Sequence, residues 1–234
     1  MRGRIGLAVI VLAGSLARAD ILTYGFQCIT NNTPANCAIG EAQLFMDVVG
    51  AGQTVNIGGK PYTPTSGQVL FRFFNTGPWA SVIAAVYFDY PQTALFPSAP
   101  FIININGTNI NGTGVSFDAG GTPLVLPGGN NLTPPFQGDY RATAKSPRPK
   151  YGVGPGEDLG FLFTLASGKS WDDVIGALDS HQLRVGLHVQ SIGTNSESES
   201  FVNNGVVPEP AAILLVGSVL LILGRKLRAG PRGA

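Results

Sequence analysis

The chain alternates between short apolar runs and stretches rich in glycine and proline. Its 32 glycines and 17 prolines separate runs of β-branched and aromatic residues, a pattern typical of strands joined by turns. The strand candidates are residues 43–49, 68–74, 81–90, 101–105, 158–165 and 182–192, with weaker ones at 116–117 and 123–126. This pattern predicts an all-β fold, an antiparallel β-sandwich of jelly-roll-like type.

The run at residues 182–192 has the clearest period. Four aliphatic residues alternate there with four other residues, and a period of two places successive side chains on opposite faces of a strand. The aliphatic set is Leu183, Val185, Leu187 and Val189, and the alternate set is Arg184, Gly186, His188 and Gln190. We therefore expect the aliphatic set to face the core and His188 to lie on the other face as an ordinary surface residue.

One short helix is predicted among the strands. Ser170 is a good N-cap, and Asp173 stands three residues later in the capping-box position. Apolar residues follow at helical spacing: Trp171, Val174, Ile175 and Leu178. Asp172 and Asp173 also resemble a paired catalytic or calcium-binding carboxylate, but the cap and the helix dipole already account for both acids.

The middle of the chain is rich in turns and loops. Ile-Asn-Gly-Thr occurs at residues 105–108 and again at 110–113, and Asn-Gly favours tight turns. A calcium loop is the weaker reading, because these side chains are neutral amides and not carboxylates. Residues 122–156 are predicted to form a long exposed loop that holds Arg141, Lys145, Arg148 and Lys150.

The C-terminal tail combines three features. Pro208, Glu209 and Pro210 directly precede an uncharged apolar run at residues 211–223, and a basic cluster of Arg225, Lys226 and Arg228 follows. An apolar run in a bilayer must be helical, so we expect a transmembrane helix at residues 211–224. At about 1.5 Å per residue the run spans roughly 20 Å, less than the hydrocarbon core of a bilayer. A buried core helix is the alternative reading of this run.

The tail resembles the PEP-CTERM sorting signal of bacteria that assemble extracellular polysaccharide. The motif matches Pro208, Glu209 and Pro210, the short helix matches 211–224, and the basic end matches Arg225, Lys226 and Arg228. The resemblance implies recognition by an exosortase, a membrane peptidase-like enzyme, followed by cleavage and transfer to another anchor. It covers about the last tenth of the chain, and such signals are attached to unrelated bodies.

The N-terminus has the pattern of a secretory signal peptide. Arg2 and Arg4 precede an apolar stretch at residues 5–16, and Ala17-Arg18-Ala19 fits a small-x-small cleavage site. The predicted organisation is therefore a signal peptide at 1–19, a β-sandwich extracellular domain at 20–205 and the sorting signal at 206–230. About 190 residues suffice for one well-buried core, which favours a single domain.

Separating the targeting segments changes the charge of the remainder. The whole chain has a formal net charge of +1, but the part from Asp20 to Glu209 holds eight basic and fourteen acidic residues, which gives −6. An acidic surface argues against nucleic acid as a partner, since nucleic-acid binding requires a basic surface.

The two cysteines predict a local disulfide. Cys28 and Cys37 are the only cysteines in the sequence, and an oxidising exterior would join them. A metal site is the alternative, but two cysteines without a nearby histidine do not complete a tetrahedral shell. The sequence therefore predicts a Cys28–Cys37 disulfide, no metal and no cofactor.

Motifs for catalysis are lacking in the sequence. His181 and His188 are the only histidines, and neither a nucleophile elbow nor a zinc-protease motif is present. Acid pairs of the glycosidase type could still be assembled by the fold. Five aromatic residues could stack on sugar rings, although core or strand-face positions explain most of them: Tyr62, Trp79, Tyr87, Tyr90 and Tyr140.

The sequence thus favours a non-enzymatic protein exported to the cell surface or to an exopolysaccharide matrix. The expected partners are the exosortase and the membrane, with no nucleic acid. Two alternatives stay open. A carbohydrate-binding or adhesin module, with extracellular polysaccharide as its partner, is the first alternative, and a secreted glycan hydrolase is the second.

Overall fold

The computed structural model describes residues 20–90, 94–105, 114–120 and 124–206, and this part of the chain is mostly antiparallel β-structure. The predicted all-β class is therefore confirmed. The strands are β1 (Ile21–Cys28), β2 (Leu44–Val49), β3 (Val55–Ile57), β4 (Lys60–Tyr62), β5 (Gln68–Asn75), β6 (Val82–Asp89), β7 (Phe101–Ile103), β8 (Phe117–Ala119), β9 (Tyr140–Ala144), β10 (Asp158–Thr164), β11 (Arg184–Ile192) and β12 (Glu197–Val206). The predicted short helix is present as α2 (Trp171–Asp179), and the described residues contain a further α-helix that was not predicted, α1 (Pro34–Gln43).

Ten of the strands form one continuous sheet that closes on itself. Their order is β7-β10-β5-β2-β1-β12-β11-β6-β9-β8, while β3 and β4 form a separate hairpin. Beyond the two edge strands, Ile105 pairs with Val115 in an isolated antiparallel bridge. The Asn104 side chain also bonds the backbone of Phe117, accepting from its N–H at 2.7 Å and donating to its carbonyl at 3.0 Å. The two edges of the sheet therefore meet. The Asn-Gly turns predicted at 106–107 and 111–112 lie outside the described residues.

An aromatic core fills the interior of the closed sheet. Phe88 of β6 packs against Phe163 of β10 at 4.9 Å between ring centroids, and against Phe71 of β5 at 5.3 Å. Both pairs meet edge to face, the arrangement that aromatic quadrupoles favour. Because β6 and β10 stand at opposite ends of the strand order, these contacts show that the two halves of the sheet face each other across one core.

Strand β11 follows its predicted alternation. The four aliphatic side chains of the predicted core face are fully buried in the main core, while His188 and Gln190 are half-buried on the other face. Gly186 is an exception on that outer face, because a Cβ there would lie 2.7 Å from Cδ2 of Leu126. The outer face of β11 is therefore covered at this point and not open to solvent.

Helix α2 stands at the end of the sheet where β1 begins. Its predicted capping box is confirmed: the Asp173 N–H donates to Ser170 Oγ at 3.3 Å, and the Asp173 carboxylate accepts from the Ser170 N–H at 2.8 Å. The carboxylate also accepts from the Ser170 hydroxyl at 2.7 Å, and this bond, with the one from the Ser170 N–H, holds the pKa of Asp173 below its usual value. The Trp171 indole donates to the carbonyl of Val48, which pairs with Leu22 near the start of β1.

Helix α1 stands at the opposite end of the sheet, where β1 finishes. Gly40 lies so close to Phe201 of β12 that an added Cβ would be 2.2 Å from the ring. Glycine thus lets the helix backbone rest on the ring, although glycine is a poor helix former by itself. The helix begins with Pro34, and Cys37 joins it to the end of β1.

Residues 124–139 form a flap over the outer face of β6, β11 and β12. Leu126 and Phe136 are buried there against Tyr87 and Val202 in a second, smaller core. Strand β9 follows directly and is buried in the sheet. The prediction that 122–156 form one long exposed loop is therefore wrong for β9 and for the buried Leu126 and Phe136, whereas most other residues of the flap are exposed. A strand predicted at 123–126 is also wrong for 124–126.

Both ends of the described chain leave the body at the α2 end. Strand β1 starts there, and β12 finishes there, with Tyr24 paired to Val206. The loops at the opposite end, which we call the α1 end, include residues 76–81, 145–157 and 193–196. Any segment that precedes residue 20 or follows residue 206 is thus attached on the far side of the body from these loops.

Candidate functional site

The predicted sorting signal lies outside the described residues. This applies to Pro208, Glu209 and Pro210, to the basic cluster of Arg225, Lys226 and Arg228, and to the predicted helix at 211–224. Within the described ranges, neither helix has the length and apolar character needed to cross a membrane.

The predicted disulfide between Cys28 and Cys37 is present. The loop that it closes is held down by Glu199 of β12, whose carboxylate is fully buried. Glu199 accepts from the backbone N–H groups of Asn32 at 3.1 Å and Thr33 at 2.7 Å, and from the Thr30 hydroxyl. Sequence reasoning missed this contact because Glu199 lies far along the chain from the loop.

A second acid of β12 holds the same loop. The Glu197 carboxylate accepts from the Thr33 hydroxyl and from the Asn36 amide, both at 2.6 Å. Within the described part of the chain, Cys28, Cys37 and Glu199 form one group whose potential ligand atoms lie within 4.8 Å of one another. Zinc binds thiolates, and in this loop both sulfurs belong to the disulfide. The group therefore acts as the anchor of the loop.

Removing the disulfide is expected to lower the free energy of unfolding. Cys28 and Cys37 are nine residues apart, and a loop of this length contributes about 2–3 kcal/mol in the chain-entropy picture. Cys28→Ser with Cys37→Ser should therefore lower stability by that amount in urea unfolding followed by circular dichroism. Unchanged stability of the double variant would contradict the prediction. Wild-type protein treated with a reductant is the control and should match the variant.

Two carboxylates on the outer face of the sheet share one cation. Arg72 of β5 lies between Asp47 at 3.1 Å and Asp158 at 2.9 Å. Burial raises the pKa of Asp47, which the Thr23 hydroxyl and the Arg72 guanidinium oppose. A glycosidase needs its substrate between two carboxylates, whereas a guanidinium fills that position here. The arrangement supports a structural ion pair.

A further ion pair fastens the flap. Asp89 of β6 is buried and accepts from Arg184 of β11, with Nε at 2.9 Å and a closer contact from Nη2. Arg184 also donates to the carbonyls of Pro134 at 2.6 Å and Pro135 at 2.8 Å. Burial raises the pKa of Asp89, and the guanidinium beside it opposes that rise. The pair therefore ties the flap to the sheet.

The histidines are separate from these acids in the described contacts. His188 is half-buried on the outer face of β11, as predicted, with Nδ1 at 3.3 Å from the Ser200 hydroxyl. Burial, together with the positive charge of Arg141, lowers the pKa of His188, which favours the neutral ring. His181 lies exposed beyond the end of α2. The geometry assembles neither residue with a nucleophile and an acid.

Of the five aromatic candidates, Trp79 alone is strongly exposed. Its exposed fraction is 62%. Tyr87 and Tyr140 are buried, while Tyr62 and Tyr90 are half-buried. A large exposed aromatic residue is a common element of binding surfaces. Trp79 stands in the loop between β5 and β6, at the α1 end.

The side-chain amide of Gln43 binds both backbone polar groups of Trp79. The Trp79 N–H donates to Gln43 Oε1 at 3.2 Å, and the Trp79 carbonyl accepts from Gln43 Nε2 at 2.7 Å. The side chain of Gln43, which ends α1, thereby pairs with the loop as a neighbouring strand would. Gln43 itself is buried, so solvent does not compete for these bonds.

Asn75 completes the support of this loop. Its amide donates to the carbonyl of Ser81 at 3.0 Å, and its Oδ1 accepts from the N–H of Gly77 at 3.0 Å. Gly77 has φ of 65°, a conformation that favours glycine. Sequence reasoning had named Trp79 but missed Gln43 and Asn75. The Gly-Pro-Trp sequence at 77–79, between two strong strands, was the available signal.

A groove of about 380 Å³ opens at the same end of the body. Val82, three residues after Trp79, belongs to its wall, and a Cβ at Gly77 would lie 3.1 Å from Pro155 in the adjoining loop. The groove is lined by Val82, Pro147, Arg148, Pro149, Lys150, Gly152, Gly154, Glu157 and Ser191. Two of these residues, Arg148 and Lys150, are exposed cations, and the carboxylate of Glu157 is buried and accepts from the Gly154 N–H at 2.7 Å.

No protein family, curated protein or solved structure was found to match this chain.

Proposed function

We propose that this protein is a non-enzymatic exported protein of the cell surface or of an exopolysaccharide matrix. It would be exported by the signal peptide at 1–19 and sorted by an exosortase at the signal of 206–230. The observation that carries the proposal is the position of the two chain ends. Both leave the body at the α2 end, which suits attachment there and presentation of the α1 end away from the membrane.

The acids of the described body support a non-enzymatic role. Asp47 and Asp158 are bridged by Arg72, Asp89 is paired with Arg184, and Glu199 anchors the disulfide loop. Each of these carboxylates has a structural partner. This favours the surface role over a hydrolase that would use a pair of acids. We propose that the two facing halves of the sheet are connected as in a jelly-roll-like sandwich.

The sorting proposal predicts a change in location when the tail is altered. Deleting residues 211–234, or replacing Glu209 with glutamine, should abolish processing and shift the protein away from the surface fraction. Cell fractionation followed by immunoblotting measures both effects. Asp118→Asn is the matched control, since it removes one exposed acid from the body. A tail variant that is anchored and processed like the wild type would contradict the proposal.

A carbohydrate-binding module is the second candidate, and Trp79 favours it. A stacking platform is what a module of this kind requires, and Trp79 provides an exposed indole on a loop held by buried amides. This role is compatible with surface display, and the displayed α1 end would then be the binding surface.

A further inference from the structure

We propose that the groove at the α1 end, the end of the body that also carries Trp79, binds an acidic saccharide. The Trp79 indole would stack on one sugar ring, and Arg148 and Lys150 would pair with carboxylate groups of the saccharide. This inference deepens the carbohydrate-binding candidate and therefore rests on it. The occupant follows from three properties of the α1 end: a fixed aromatic face, a local excess of positive charge, and a groove between rigid loops.

The fixed aromatic face is the first property. A side chain that binds by stacking loses less entropy when its backbone is held in place beforehand. The Gln43 amide holds both backbone polar groups of Trp79, and the Asn75 amide holds the residues on either side of it. The polar atoms of these two amides form hydrogen bonds with the loop, while the Trp79 indole stays 62% exposed. A buried hydrogen-bond network thus supports the loop that carries this exposed ring.

The local charge is the second property. The part from Asp20 to Glu209 has a net charge of −6, yet half of its eight basic residues fall within residues 141–150. Lys150 and Arg148 line the groove and are exposed, whereas the one acid of the lining, Glu157, is buried and accepts from the Gly154 N–H. Such a basic patch attracts an anion locally, even on a body whose net charge is negative.

The rigidity of the groove is the third property. Arg148 is fixed by donating from Nε to the carbonyl of Ala144 and from Nη2 to the hydroxyl of Thr143, both at 3.0 Å. Its remaining guanidinium donors are therefore held in place. Lys150 lies 5.5 Å from the centre of the Tyr151 ring. At about 380 Å³ the groove is at the small end of the range for ligand pockets, which suits a short stretch of a sugar chain.

The chemistry of these groups favours an acidic sugar. Sugar rings offer C–H faces that an indole covers, and a carboxylate on the same ring is matched by the planar donors of an arginine. A neutral sugar would use the indole and would make no ionic contact with Arg148 or Lys150. An acidic peptide would use the cations and would lack a matching ring face for Trp79.

The test uses the full-length protein in detergent and two probes, an oligogalacturonate and a neutral maltohexaose of similar length. Isothermal titration calorimetry should show binding of the acidic probe, weakening as salt rises, and at least tenfold weaker binding of the neutral one. Trp79→Ala should weaken binding of the acidic probe about tenfold, and Trp79→Tyr should recover part of the lost affinity. Phe101→Ala is the matched control, since Phe101 is 68% exposed on β7 and should leave binding unchanged.

The charge arm uses Lys150→Glu, with Lys60→Glu in β4 as its matched control. The first should abolish binding of the oligogalacturonate, and the second should leave it intact. The proposal is overturned if the acidic probe fails to bind, if Trp79→Ala binds as the wild type does, or if polyglutamate binds as well as the oligogalacturonate. Surface location should be unchanged in Trp79→Ala and Lys150→Glu, so loss of binding and failure of the sorting proposal are separate results.

Discussion

Replacing Arg184 with alanine is expected to lower the free energy of unfolding by about 3–5 kcal/mol. The variant would leave the buried carboxylate of Asp89 without its cation, and a lone buried charge is costly. It would also release the Pro134 and Pro135 carbonyls of the flap. Urea unfolding followed by circular dichroism measures the loss. Near-ultraviolet signals should also change, because the Arg184 guanidinium lies over the Phe136 ring at 5.3 Å.

The matched control for Arg184 is an ion pair at the surface. Lys145 and Asp118 are 3.6 Å apart and both well exposed, and such a pair contributes less than about 1 kcal/mol. Lys145→Ala should therefore be nearly neutral. Combining Arg184→Met with Asp89→Leu should recover much of the loss, because the stranded charge is then removed. An Arg184→Ala variant as stable as Lys145→Ala would show that the pair does not hold the flap.

Replacing Phe88 with alanine is the second large effect, with an expected loss of about 3–5 kcal/mol. Phe88 is fully buried and packs against Phe71, Phe161 and Phe163 from the facing half of the sheet. Its removal leaves a cavity between the two halves, and a closed sheet with two capped ends has little freedom to collapse into it. The midpoint of urea unfolding should fall accordingly.

The control for Phe88 is the exposed phenylalanine of an edge strand. Phe101→Ala should change stability by less than about 0.5 kcal/mol, as is usual for surface substitutions. A loss for Phe88→Ala as small as that of Phe101→Ala would contradict the common core. Phe88→Leu keeps much of the apolar volume and should fall between the two.

The elements that could be predicted from the sequence are those specified by local chemistry. The capping box of Ser170 and Asp173 identified α2, and the period of two identified β11. Both signals are complete within about ten residues. The long apolar runs of β5, β6 and β10 were identified for the same reason, since a buried strand must be apolar wherever it packs.

The missed elements depend on distant residues. Strand β12 begins Glu-Ser-Glu-Ser, which is unlike a buried strand, and its two glutamates are accommodated only because residues 30–36 donate to them. Helix α1 contains Gly40, whose advantage is visible only once Phe201 lies against it. The candidate site shows the same division. Trp79 could be named from the sequence, whereas Gln43 and Asn75 gained their role from the loop that they hold.

Closure of the sheet affects how copies of this protein would associate at high local concentration. The edge strands β7 and β8 have three residues each, and the chain beyond them meets at the bridge between Ile105 and Val115. A long open edge is a template for pairing with another chain and for aggregation. In the described part of this protein the two edges of the ten-stranded sheet are short and contact each other. Many copies packed side by side would therefore have little exposed strand backbone through which to polymerise.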